Sequence, residues 1–88
     1  MAISIVKKSD TMFEVTVEER TTTIHHVTVS PDYYQKLTGG KVPVERLVER
    51  SFDFLLEREP NSAILRTFDL PLIQGYYPEY ERTIREML

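Results

Sequence analysis

Val44-Glu45-Arg46-Leu47-Val48-Glu49-Arg50-Ser51-Phe52-Asp53-Phe54-Leu55-Leu56, running on into Glu57-Arg58-Glu59-Pro60, is the stretch whose reading decides the fold. At ~100° per residue, Phe54, Leu47, Val44, Leu55, Val48, Phe52 and Leu56 fall within one arc of roughly 200°. Arg46, Asp53, Glu49, Glu57 and Arg50 take the opposite arc. A helix lying on a single layer shows an apolar stripe nearer ~100° wide. This one is therefore expected to be covered from two sides. Pro43 opens it and Pro60 closes it, because the residue before a proline is pushed out of the helical region. Arg46–Glu49 and Arg50–Asp53 are spaced as i,i+3 pairs, each worth ~0.2–0.5 kcal/mol, and the like-charge Asp53–Glu57 pair costs about the same. Burial must hold the helix, at ~1.5–3 kcal/mol for each of Leu47, Val48, Phe52, Leu55 and Leu56. Ser51, in the middle of the apolar arc, reads as a small residue that admits a close neighbour, its hydroxyl bonded to the carbonyl one turn back.

Working toward the N-terminus, residues 2–29 read as three strands. Ile3-Ser4-Ile5-Val6 is a short first strand, with Ser9-Asp10 as the turn after it. Phe13, Val15 and Val17 alternate with Glu14, Thr16 and Glu18, the pattern of a half-buried antiparallel strand. Thr21–Val29 is dense in β-branched residues and keeps period two. Ser30 then suits an N-cap, Pro31 the first helical position and Asp32 the positive end of the dipole. Gly39-Gly40 stops this helix after Thr38. Tyr34 and Leu37 are expected to face inward.

Working toward the C-terminus, Asn61 or Ser62 caps a short helix through Ala63-Ile64-Leu65-Arg66. Asp69 starts another, through Leu72 and Ile73 to Gly75, and Pro78 begins a last one over Glu79–Leu88. A fourth strand over Ile64–Leu70 is the alternative to helical turns there. The expected architecture is a single α+β domain over residues 1–88. It is a three-stranded antiparallel meander packed on one face by about five helices.

The formal charge is −3, and all of it lies in the second half. Residues 1–44 hold five basic and five acidic side chains, residues 45–88 six and nine. Basic residues interleave with acidic ones, with no stripe of the kind that binds phosphates. There is no cysteine, which excludes disulfides, thiolate metal sites and thiol catalysis and fits a reducing compartment. Lys7-Lys8 follow the short apolar run of Ile3–Val6, the reverse of a secretory signal, and no apolar run approaches the ~20 residues of a membrane span. A cytoplasmic location is expected, with no membrane partner and no cofactor.

His25 and His26 are adjacent on a strand, so they point to opposite faces and cannot chelate one metal together. His25 shares parity with Val27 and Val29 and is expected in the core, with His26 in water. Gly39-Gly40 follows a helix rather than preceding one, which argues against a phosphate cradle. The notable cluster is aromatic and basic: Tyr76, Tyr77 and Tyr80 around Pro78, with Arg82 and Arg85. Tyrosine and arginine are enriched where proteins bind one another.

Leu47-Val48, Ser51-Phe52-Asp53-Phe54-Leu55-Leu56-Glu57-Arg58-Glu59-Pro60, Ile64-Leu65, Phe68-Asp69-Leu70-Pro71, Ile73 and Tyr76-Tyr77-Pro78-Glu79-Tyr80-Glu81 together resemble a family of small bacterial proteins of uncharacterised function. Thr28-Val29 and Leu37-Thr38-Gly39-Gly40 extend the resemblance over residues 25–81. It implies a three-stranded meander against about five helices, in keeping with a layered α+β fold. Family members tend to carry Tyr-Phe where this chain has Tyr76-Tyr77. The resemblance brings no activity, cofactor or catalytic residue.

Three functions compete on this sequence. The leading expectation is a protein-interaction or regulatory module, binding a protein partner or itself through Tyr76, Tyr77, Tyr80, Arg82 and Arg85. The alternatives are nucleic-acid binding through the segments after Pro60, and a small-molecule or metal-dependent enzyme using His25 or His26.

Overall fold

A computed structural model describes residues 2–88. The chain runs β1 (Ala2–Lys7), β2 (Met12–Glu18), β3 (Thr22–Thr28), α1 (Pro31–Thr38), α2 (Val44–Leu56), a 3-10 turn (Asn61–Ala63), β4 (Thr67–Asp69), α3 (Leu72–Tyr76) and α4 (Tyr80–Met87). The class is α+β. The sheet has four strands in the order β1-β2-β3-β4, antiparallel except for β4, which lies parallel to β3. Two expectations are corrected here: the sheet is not a three-stranded meander alone, and among the described residues there are four α-helices with one 3-10 turn.

The first three strands follow their sequence pattern. Val15 sits opposite Ile5 and His25, and Phe13 opposite Lys7 and Val27. Phe13, Val15, Val17 and Val27 are fully buried on the face toward the helices. Ser9 accepts from the backbone N–H of Thr11 and Met12 and so closes the first turn. Ser30 caps α1 by accepting from the Tyr33 N–H at 3.1 Å, and Gly39 ends it in the left-handed conformation at φ 65°. Tyr33, not Tyr34, is the buried tyrosine of α1; Tyr34 is partly buried, and its hydroxyl donates to the Val42 carbonyl.

β4 is where the helical reading of Ile64–Leu70 fails. A parallel neighbour needs a crossover connection, and α1 and α2 provide it. The ladder pairs His26, Val27 and Thr28 with Thr67, Phe68 and Asp69. It is flanked by bonds from the His26 N–H to the Arg66 carbonyl (2.7 Å) and from the Leu70 N–H to the Thr28 carbonyl (2.9 Å). The edge of β3 has polar backbone groups that need partners, and this demand outweighs the weak local preference of three residues. α3 also differs from its reading: it follows Pro71 and includes Gly75 instead of stopping there.

α2 is covered from both sides. Phe52 meets the sheet, with its ring edge-on to His25 at 5.3 Å and against Phe68 at 6.1 Å. Phe54 points the other way, edge-on to Tyr80 at 5.2 Å and Tyr77 at 5.8 Å. Arg50 pairs with Asp53 at 2.9 Å, whereas Arg46 and Glu49 make no ion pair among the described residues. The buried Ser51 hydroxyl donates to the Leu47 carbonyl at 2.7 Å. Its proton being used there, it accepts from the Tyr80 hydroxyl at 2.6 Å. A helix residue without bulk thus lets α4 approach and satisfies a fully buried phenol.

Ser51→Ala is expected to cost ~1–3 kcal/mol in denaturant unfolding, because it strands the Tyr80 hydroxyl. Tyr80→Phe in that background should recover part of the loss. A double variant no more stable than Ser51→Ala would show that the bond is not what holds α4 on α2.

Candidate functional site

The segment between α2 and α3 is fixed by a buried chain of hydrogen bonds. The Leu65 carbonyl can only accept, so His25 Nδ1, 2.7 Å away, carries the proton. Nε2 is then the acceptor and takes the Thr23 hydroxyl at 2.8 Å. Thr23 in turn accepts from Asn61 Nδ2 at 2.9 Å, and the same amide donates to the Thr21 carbonyl at 3.0 Å. His25, Thr23 and Asn61 are all buried. His25 is therefore a core histidine, as its parity suggests, with both ring nitrogens engaged. His26 lies on the outer face, 3.4 Å from Glu14. No three metal-ligating side chains converge among the described residues.

Held in this way, the segment walls one side of an apolar groove of about 230 Å³. α3 forms the other side, and Leu55, Ile64, Phe68 and Ile73 reach it from the core. Its rim is Leu65, Leu72 and Tyr76, exposed by 47%, 39% and 66%. Among the described residues only Val6 and Ile24, out on the sheet, are large apolar side chains of similar exposure. Concentrating three on one concavity is unusual, because isolated exposed apolar residues are common and clustered ones mark contact sites.

One carboxylate lines the groove. Glu59 accepts from the Tyr77 hydroxyl through Oε2 at 2.5 Å, and among the described residues no hydrogen bond engages Oε1. This bond holds the Tyr77 phenol above its ordinary range, with desolvation adding to it. Beside it, Arg58 lies over the Phe54 ring at 3.5 Å and donates to the Phe54 carbonyl at 2.9 Å. Its Nε also faces Glu79 at 3.4 Å. Arg58 thereby clips the end of α2 to the start of α4.

The five residues singled out in the sequence do not form one site. Tyr76 and Tyr77 line the groove. Tyr80 is fully buried against Phe54 and Ser51, and desolvation raises its phenol. Arg82 and Arg85 are exposed on α4 and do not line the groove. Acidic neighbours interleave with them: Glu81 receives Tyr33 at 2.9 Å and Lys36 at 3.2 Å. Burial works to raise the Glu81 carboxyl, but Tyr33, Lys36 and Arg85 together hold it below its usual value. The sequence pattern assigns Leu65 and Leu72 to short helices and gives no surface role to either or to Glu59, because their exposure depends on how the segment is tied to the sheet.

The chain matches no protein-family model, no curated protein and no solved structure. No helix among the described residues is long and apolar enough to cross a membrane.

Burial holds the His25 imidazole below its ordinary 6.5; the Leu65 carbonyl opposes this in part, and Arg66 and His26 reinforce it. The folded state binds this proton less readily than the unfolded chain. Its contribution to stability is thus complete above pH 6.5 and is lost as pH falls toward the lowered value. Thermal melts should show stability dropping as pH falls below about 6.5, with a shallower slope in His25→Gln. An unchanged slope would place the responsible proton elsewhere.

Proposed function

We propose that this chain is a small cytoplasmic protein-interaction module whose contact surface is the groove of Leu65, Leu72, Tyr76 and Tyr77. The observation that carries the reading is the gathering of three exposed apolar side chains around one concavity. Its chemistry suits a partner segment offering two or three apolar side chains and one Lys or Arg. The apolar groups fill the space between Leu55, Ile64 and Ile73, and the cation meets Glu59, which Tyr77 holds in place. Tyr76 and Tyr77 keep the role expected from the sequence, whereas Tyr80 supports the fold. Nucleic acid is the weaker reading, since Arg82 and Arg85 share α4 with Glu81 and Glu86 and the chain is acidic overall. Catalysis through His25 is weaker still, because neither ring nitrogen is free.

Selection of displayed random peptides on the immobilised protein tests this. Binders should be rich in apolar residues with a Lys or Arg. Leu72→Asp or Tyr76→Ala should weaken them by at least ~10-fold without lowering the melting temperature, as both side chains are exposed. Binders indifferent to both changes, or no enrichment, would overturn the assignment.

A further inference from the structure

β1 is an edge strand of six residues, and among the described residues no strand pairs with its outer side. Such an edge presents backbone donors and acceptors ready for another strand. Its helix-facing side is also incompletely covered. Ile3 and Ile5 are only partly buried, although Val17 and Val15, directly opposite them on β2, are fully buried. The helical layer therefore stops short of this edge. Glu45, Arg46 and Glu49 of α2 line the hollow left beside Ile3 and Ile5.

Alternate residues of a strand share a face, so Lys7 projects on the same side as Ile3 and Ile5. Among the described residues Lys7 makes no ion pair, and neither does Glu45 or Glu49. The strand thus ends in an unpaired cation. The hollow beside Ile3 and Ile5 holds the unpaired carboxylates of Glu45 and Glu49 together with the unpaired guanidinium of Arg46, so that it remains acidic on balance.

We propose that two copies of this chain pair through β1, antiparallel, about a twofold axis at Ile5, joining their sheets into one. Residues directly opposed across an antiparallel pair share a face, and both helical layers then lie on the same side. With Ile5 opposite the second copy's Ile5, Ile3 stands opposite the second copy's Lys7. That lysine enters the hollow beside Glu45 and Glu49, and the two isoleucines of each copy gain the cover they lack. The contact is self-complementary, as a twofold interface requires. A lysine on an edge strand ordinarily guards against pairing; here the facing carboxylates turn it into a determinant of register. This surface is separate from the groove, and the inference stands independently of the function proposed for it.

Sedimentation of the full chain should show a dimer that weakens with added salt. Lys7→Glu places like charges together and should weaken association by at least ~10-fold. Adding Glu45→Lys and Glu49→Lys to that variant should restore it. Because the chain has no cysteine, Ile5→Cys should link to itself under mild oxidation far faster than Glu86→Cys, a position on exposed α4. A monomeric wild type overturns the self-pairing in favour of an edge open to a foreign strand. A dimer indifferent to Lys7→Glu, no rescue by the charge swap, or equal linking at both cysteines also overturns it.

Discussion

The hydrogen bonds that Thr23, His25 and Asn61 make inside the core hold the C-terminal third of the chain in place. Asn61 anchors the start of the segment that leaves α2, and His25 anchors the Leu65 carbonyl. With both points fixed, the next residues lie along β3, Phe68 meets Phe52, and Leu65 is left at the surface. A buried polar network of this kind stabilises only when complete, since each unpaired member costs more than its bond contributes. The groove inherits its shape from that completeness.

Features written in local chemistry were legible. The bounds of α1 follow from Ser30, Pro31 and Gly39, and the start of α2 from Pro43; its last helical residue is Leu56, four positions before the Pro60 expected to close it. The placement of His25 followed from period two alone. What could not be read depends on groups remote in sequence. β4 exists because β3 has a free edge to satisfy; the strand-prone Ile64, Thr67 and Phe68 allow a strand there but do not decide it over helical turns. Tyr33 is chosen over Tyr34 by Glu81, far along the chain on α4. Of the aromatic cluster, Tyr76 and Tyr77 both line the groove, whereas the start of α4 turns Tyr80 inward onto Ser51.

The two surfaces differ in kind. The groove is built from side chains and selects by shape and by one carboxylate. The β1 edge offers backbone, which recognises any strand, and leaves selection to Lys7, Glu45 and Glu49. They also lie apart: β1 is one edge of the sheet, and β4, whose Phe68 lines the groove, is the other. Pairing at β1 leaves the groove of each copy open, so a paired molecule would present two grooves and gain from a partner carrying two copies of the recognised segment.

The parallel pairing of β4 with β3 bears on the order of assembly. β1, β2 and β3 meet through tight connections, whereas His25 and Leu65 are 40 residues apart. Closing so long a loop is entropically slower than forming adjacent strands. The meander and α2 are expected to associate first and the β4 segment to dock late. It should also be the first region to detach in partial unfolding, and a ligand held in the groove would act as the clasp that keeps it closed.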